Sequence, residues 1–507
     1  MTTDIDDLDG VRPQARRLVA GLVIVAAVAH SLGVTLRMPT QLEANDISRW
    51  CTVWSLLERG SYIIDDCPWQ NKTQDKVFER APSERNDPSA PEHFYSSKPP
   101  LLPTLIAGLL YPARRLTRVP LDANVLQERI PRTYRKYDPD DPKKYELIKD
   151  EVPPPTKWPA YVFYFKPIVV LFNVVPYLAF LILFARLLDR HVRSDWAWFA
   201  GLVAAAWGTP LTIFNTTLNN HSIAAFSTFF AVYSLLRIWE SPRAPVDRDR
   251  DRDRNDDDAP APRTPYLAYA SAGFWGAFAA CNELPAAAFG ILLFLLVLVR
   301  SRRGTLAAFI PAAAIPCLFF LATLYLATGG LKPTYAKFGT AAYEGYEGSF
   351  WATPLEMDWF DKHPEPWWRY LFHMTFGHHG IFSMTPIFLL AIPPMVRGLL
   401  GIDRRLSVVA WLTFVLTAGL LALYTARTHN YGGSTQGLRW LFWIFPLWLI
   451  LVPPGFESGQ DRRALRWFGL ALLAISVFTV GYGVRSPWSH PWVLDMIEHL
   501  NLYRVTR

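Results

Sequence analysis

What this sequence lacks narrows its function first. It contains no glycine-rich phosphate loop, no Walker pattern and no dinucleotide fingerprint, which argues against ATP or a nucleotide sugar as a reactant at an inner face. It has no internal repeat and no charged residue in the middle of its apolar runs, features that transport pathways usually carry. Cysteine is scarce, with four among 507 residues. Cys51 and Cys67 share one polar segment, where an oxidising compartment permits a disulfide, and the sequence leaves that bond open. Cys281 and Cys317 lie at membrane level and read as packing residues. The first apolar run ends in "AHSLGVTLRM", which offers no small-x-small cleavage site, so an uncleaved anchor is expected.

What the sequence has in abundance is apolar and aromatic surface: 51% hydrophobic, 14% aromatic and 20 tryptophans. That composition belongs to an integral membrane protein. Apolar runs at 18–36, 161–185, 196–214, 222–239, 266–280, 285–299, 306–328, 381–396, 408–426, 440–452 and 465–482 predict an all-α polytopic protein with about eleven spans. A further run at 99–113 is too short to cross a bilayer and is expected to lie in the interface.

Arginine position sets the orientation. Arg12, Arg16 and Arg17 precede the first run, which puts the amino terminus inside. With 99–113 interfacial, the clusters Arg186/Arg190/Arg193, Arg300/Arg302/Arg303, Arg397/Arg404/Arg405 and Arg462/Arg463/Arg466 all fall inside too. They account for the formal charge of +7, so no nucleic-acid partner is implied. Outside lie 37–160, "NTTLNNH", "CNELP", 329–380, "THNYGGSTQGLR" and the tail after Gly483. The chain therefore reads as one transmembrane domain, 1–484, with a short external tail, 485–507. The inner loop 240–265, with its "DRDRDRDRNDDD", reads as a flexible solvated linker. The insertion 114–160 has no assignable role. Asn71 and Asn215 begin Asn-x-Thr acceptors.

Just after the first span, Asn45 is expected to cap a helix running to Gly60, with Ile47, Trp50, Val53, Trp54 and Leu57 at helical spacing. Such a helix would lie on the membrane. Asp46 sits in its first turn, where a partner for the helix dipole is the plain reading of its spacing.

An Asp, then Arg three residues on, then an aromatic (Asp46, Arg49, Trp50), followed after tens of residues by Tyr-x-x-Lys-Pro (Tyr95, Lys98, Pro99), resembles the GT-C membrane glycosyltransferases. The resemblance is to the lipid A aminoarabinose transferase and the wider protein O-mannosyltransferase-like group. Motif agreement is confined to about Asp46–Pro100; the overall plan, a large external first loop and many spans, covers most of the chain. Ile47 stands where the family often has a second acid, and Ser97 where some relatives have one before the lysine. The resemblance implies an inverting transfer, outside the cytoplasmic membrane, from a polyprenyl phosphate-linked sugar donor to a lipid, glycan or protein acceptor. Asp46 would be the base, Arg49 and Lys98 would hold the phosphate, and Tyr95 would line the substrate site. Lys98, at the mouth of an interfacial helix, sits at the depth of a lipid phosphate, though it could equally snorkel to the headgroups.

Other external clusters could join such a cavity. Asn220 and His221 open one span and Glu283 closes another, where each could also be a helix cap. His373, His378 and His379 precede the eighth run. His429, Asn430, Tyr431, Gln436 and Arg439 precede the tenth. Converging, they would suit sugar recognition by amides and aromatic faces, with Arg439 as a third phosphate contact or an interfacial anchor. The histidines match no strong zinc template, so no metal and no cofactor is expected, although a divalent ion is allowed. A transporter or flippase of a lipid-linked saccharide is the competing reading, and a non-catalytic scaffold is a third.

Overall fold

A computed structural model of the chain describes residues 5–127, 133–137, 145–149, 156–241, 265–349, 351 and 363–502. It is a helical membrane protein. Among the described residues, eight helices are long and apolar enough to cross a bilayer: Pro13–Arg37, Tyr161–His191, Asp195–Thr216, Asn220–Glu240, Arg302–Thr328, Ser407–Arg427, Arg439–Ser458 and Arg463–Gly483. The other three expected spans are helical but short, at Tyr266–Asn282, Leu284–Arg300 and Pro386–Leu399. The last two begin with a tight 3₁₀ turn that holds a proline in its first two residues, Pro285 in Leu284–Ala286 and Pro386 in Pro386–Ala391, before the α-helix proper.

In chain order, the first helices are α1 (Ile5–Arg37), α2 (Ala44–Glu58), α3 (Leu101–Thr117), α4 (Tyr161–Val169), α5 (Val175–His191), α6 (Asp195–Trp207), α7 (Asn220–Glu240), α8 (Tyr266–Asn282) and α9 (Ala287–Arg300). Outward faces of the bundle carry bare aliphatic side chains, such as Leu22 at 63% and Leu326 at 66% exposure. Water would penalise such a surface, and lipid does not. Inside, Phe180, Phe184, Phe226 and Phe229 pack ring on ring between α5 and α7. Glycine permits the closest backbone approaches. At Gly273 an added Cβ would lie 2.2 Å from the Phe309 carbonyl oxygen, and at Gly455 2.0 Å from that of Leu390.

The two ends of the bundle differ. At one, Arg16 donates to Asp195 at 2.7 Å and to the carbonyls of Val192 and Arg193, and Glu457 accepts from the Arg193 and Ser194 amides. Arg300 caps the carbonyls of Ile238 and Trp239 at that end. At the other end sit α2, α3 and a hairpin of β1 (Lys76–Arg80) and β2 (Glu92–Ser96), paired Lys76 to Ser96 through Arg80 to Glu92.

Two expectations for α2 are corrected. Its N-cap is Glu43 and not Asn45, because Glu43 and Asp46 form a reciprocal capping box across the first turn. Nor does α2 lie on the surface: every residue from Ala44 to Ser55 is buried, since the bundle covers one side and the 60–100 segment the other. A Cys51–Cys67 disulfide pins that segment to the helix, and Trp50 stacks on Phe165 of α4 at 3.8 Å. Helix α3 buries Leu102, Ile106 and Leu110 while exposing Leu109, Tyr111 and Leu116, and it is not among the helices able to span, as expected of an interfacial helix.

The insertion at 114–160 contains strands the sequence did not announce: Asn124–Gln127 pairs antiparallel with Thr156–Pro159, and Thr133–Tyr137 with Tyr145–Lys149. The tail forms a short helix, Trp492–His499. Of the charged loop 240–265, residues 242–264 lie outside the described residues. Of the two Asn-x-Thr acceptors, Asn215 is fully buried and so closed to modification, whereas Asn71 is exposed.

Candidate active site

Three cations from three distant segments meet at the α2 end of the bundle. Lys98, at the turn between β2 and α3, pairs with Asp75 at 2.9 Å, both side chains 15% exposed. Arg49, on the second turn of α2 and 2% exposed, donates to the Asn45 carbonyl at 2.8 Å and to the amide oxygen of Asn220. The charges of Arg49 and Arg439 both bear on Asp75 and on Lys98. Arg439 opens its span with the guanidinium over the Trp488 ring, 4.9 Å from the centroid.

The acids interleave with these cations. Asn220 passes a hydrogen bond from Arg49 on to Glu283 at 2.6 Å, and Glu283 also meets His221. Tyr343 donates to Asp75 at 3.4 Å and to Ser97 at 3.2 Å. Burial pushes Asp75 up, but Lys98, Arg439 and Arg49 together outweigh it and hold the carboxyl below its usual range. Burial lowers Lys98, partly opposed by Asp75, and brings Arg49 down to about 10. Charges buried to this degree persist here because they are paired and hydrogen-bonded to one another.

Asp46 sits among them in a different state. It is 0% exposed. One oxygen accepts from the Glu43 amide at 2.8 Å and the Ile47 amide at 3.1 Å, the other from the Leu42 amide at 2.9 Å and Thr217 Oγ1 at 3.2 Å. A carboxylate has about four lone-pair positions, and all are taken. Burial nevertheless pushes its pKa up to about 7, against those four bonds.

The sequence-derived residues thus divide. Asp46, Arg49, Lys98, Asn220, His221, Glu283 and Arg439 come together. Among the described residues Tyr95 makes no hydrogen bond to these charges but borders them: it shares a small buried cluster with Val77 and Tyr343, and burial, with the charges of Asp65, Glu79 and Glu84, raises it to about 12. His378, His379 and Tyr431 form a second cluster with Glu365, His373 and His490. Asn430 builds the turn ahead of it, accepting from the Gly433 amide at 2.8 Å, and His429 is exposed. The two clusters adjoin, since the Leu438 amide, next to Arg439, donates to the His379 carbonyl at 3.2 Å. Asp75 and Tyr343 were missed, because "NKTQDKVFE" and "TAAYEG" carry no motif; only their partners give them meaning.

Fold and site together define an integral membrane protein with a buried, charge-dense cluster at one end of its helix bundle. The chain is similar to the crystal structure of the Archaeoglobus fulgidus oligosaccharyltransferase in the apo form, at 10% identity and a TM-score of 0.44. The match covers 93% of this chain and 56% of that one, so the chain spans about half the length of that protein. No family model and no curated protein matches it.

Proposed function

We propose that this chain transfers a glycosyl group from a polyprenyl phosphate-linked donor to an acceptor at the extracytoplasmic face of the cytoplasmic membrane. The observation that carries the reading is the meeting of Arg49, Lys98 and Arg439 around Asp75 and Glu283 at the mouth of interfacial helix α3. Cations at that depth match a lipid phosphate, whose departure from the anomeric carbon they would stabilise as negative charge builds on it. The acceptor oxygen attacks the anomeric carbon, the bond to the phosphate oxygen breaks, and the acceptor proton passes to a carboxylate.

Asp75 is better placed than Asp46 to be that carboxylate. It keeps partial access and binds only Lys98 and Tyr343 through its oxygens, whereas Asp46 is saturated and anchors the turn that presents Arg49. A cleft of about 630 Å³ beside the hairpin, lined by Phe78, Glu79, Arg85, Lys332 and Tyr346, suits the approach of a polar acceptor; aromatic faces and charged groups are what a saccharide needs. Sidedness has two supports: the arginines gathered at the far end of the bundle, and the Cys51–Cys67 disulfide beside the site, a bond of oxidising compartments. The phenylalanine packing between the two ends speaks against a transport path through the bundle.

The test is sugar transfer from a radiolabelled polyprenyl phosphate donor in membranes. Asp75→Asn is expected to abolish transfer while donor binding persists, and Asp46→Asn to lower the amount of folded protein more than the activity per folded molecule. Full activity in Asp75→Asn with loss in folded Asp46→Asn would return the base to Asp46. No transfer by the intact chain from any lipid-linked sugar would sink the reading.

A further inference from the structure

The second cluster stands beside the charges that carry the proposed transfer, with the Leu438 amide donating to the His379 carbonyl. Glu365, His373 and His378 each offer one ligand atom, and these atoms lie within 4.8 Å of one another. Both imidazoles are buried and the glutamate is partly so. We infer that Glu365, His373 and His378 bind a divalent metal ion of borderline softness, of which Zn²⁺ is the type. Two imidazoles and one carboxylate make the nitrogen and oxygen donor set such ions prefer.

The local chain is built to bring these groups together. His373 closes the helix Trp367–Thr375, and its ring stacks on that of His378 with centroids 4.0 Å apart. Gly377 between them is required, because a Cβ there would lie 2.2 Å from His373 Nδ1. Glu365 is oriented from two sides, by Arg369 Nε at 3.0 Å and by the hydroxyl of Tyr431, the outer partners a ligating carboxylate needs. Tyr431 holds a left-handed backbone at φ +57°, a conformation a bulky residue adopts only under constraint. Its ring lies 4.8 Å from that of His378 and 4.9 Å from that of His379. His378 Nδ1 sits 2.5 Å from His379 Nδ1. An ion here would cross-link Glu365, His373 and His378 within one segment, fixing the carboxylate that Tyr431 of the loop leading into Arg439 binds, a structural role beside the proposed phosphate site and independent of whether sugar transfer is the reaction.

The experiment uses the full chain, produced without a polyhistidine tag and purified in detergent without chelator, with metal measured by mass spectrometry. Stoichiometric zinc or another divalent transition metal is expected. It should be lost in His373→Ala and in His378→Ala and retained in His30→Ala, a change on exposed α1. Because a histidine variant could fail to fold, chelator-treated wild type is also titrated with Co²⁺. A saturable visible absorption, displaced by Zn²⁺ and weakened in Glu365→Gln, is the expected result. Wild type that carries no metal and gives no Co²⁺ absorption overturns the inference, as does metal retained unchanged in both histidine variants.

Discussion

At the scale of single residues, the site is governed by how each charge is compensated. Lys98 and Asp75 compensate each other at 2.9 Å, so in the proposed transfer a phosphate arriving at Lys98 would weaken that pair and free Asp75 to accept a proton. Lys98→Gln is accordingly expected to lower turnover about 100-fold with a smaller change in KM, read from initial rates at varied donor, since one lost contact to a developing anion is of that order. Asp46 makes a pH prediction. Its pKa is raised from 3.8 to about 7, so the folded state holds a proton that the unfolded state has released. Stability contributed by Asp46 therefore falls as pH rises from about 4 to about 7, and is level above that. Thermal unfolding of wild type minus that of Asp46→Asn, which does not titrate, should show this decline in that window; a flat difference would remove the raised pKa. Asp46, Arg49 and Lys98 were legible because a short motif marks them, whereas Asp75 has no such mark and its meaning comes entirely from Lys98.

At the scale of elements, α2 is the piece on which the charged cluster depends. The sequence pattern showed its existence but misjudged its surroundings: apolar residues on one side suggested a helix on a membrane, yet polar residues on the other, Ser48, Thr52 and Ser55, are buried as well. Ser48 donates to the Asp75 carbonyl and meets Ser96, so the polar face docks on the hairpin. Trp50→Ala should cost about 4 kcal/mol, the usual scale for emptying a buried aromatic site, because Trp50 loses both Phe165 and its hydrogen bond to the Thr40 carbonyl. Thermal unfolding in detergent measures it. Cys51 and Cys67 are 16 residues apart, a closure worth about 3 kcal/mol in the chain-entropy account. Replacing both by alanine should lower the unfolding temperature, and reducing agent should then have no further effect.

At the scale of the whole molecule, the prediction is sidedness. Glu347→Cys, on the end that carries the charged cluster, should react with a membrane-impermeant maleimide added to intact cells, and Arg302→Cys, on the arginine end, only after permeabilisation; both are exposed positions. The reverse pattern would invert the protein. The sequence by itself determined the helical membrane class, the eleven apolar segments and the grouping of arginines, because bilayer thickness and charge retention act on composition and run length, which need no partner. Only the tertiary structure decided that three of those segments are short, that Tyr95 packs beside Tyr343, that Asp46 is saturated, and that Asp75 and the Glu365–His373–His378 group exist as clusters. Each of those depends on contacts between segments far apart in the chain: residue 49 with 220, 75 with 343, 46 with 217. Such long-range contacts leave no periodicity in the sequence to read.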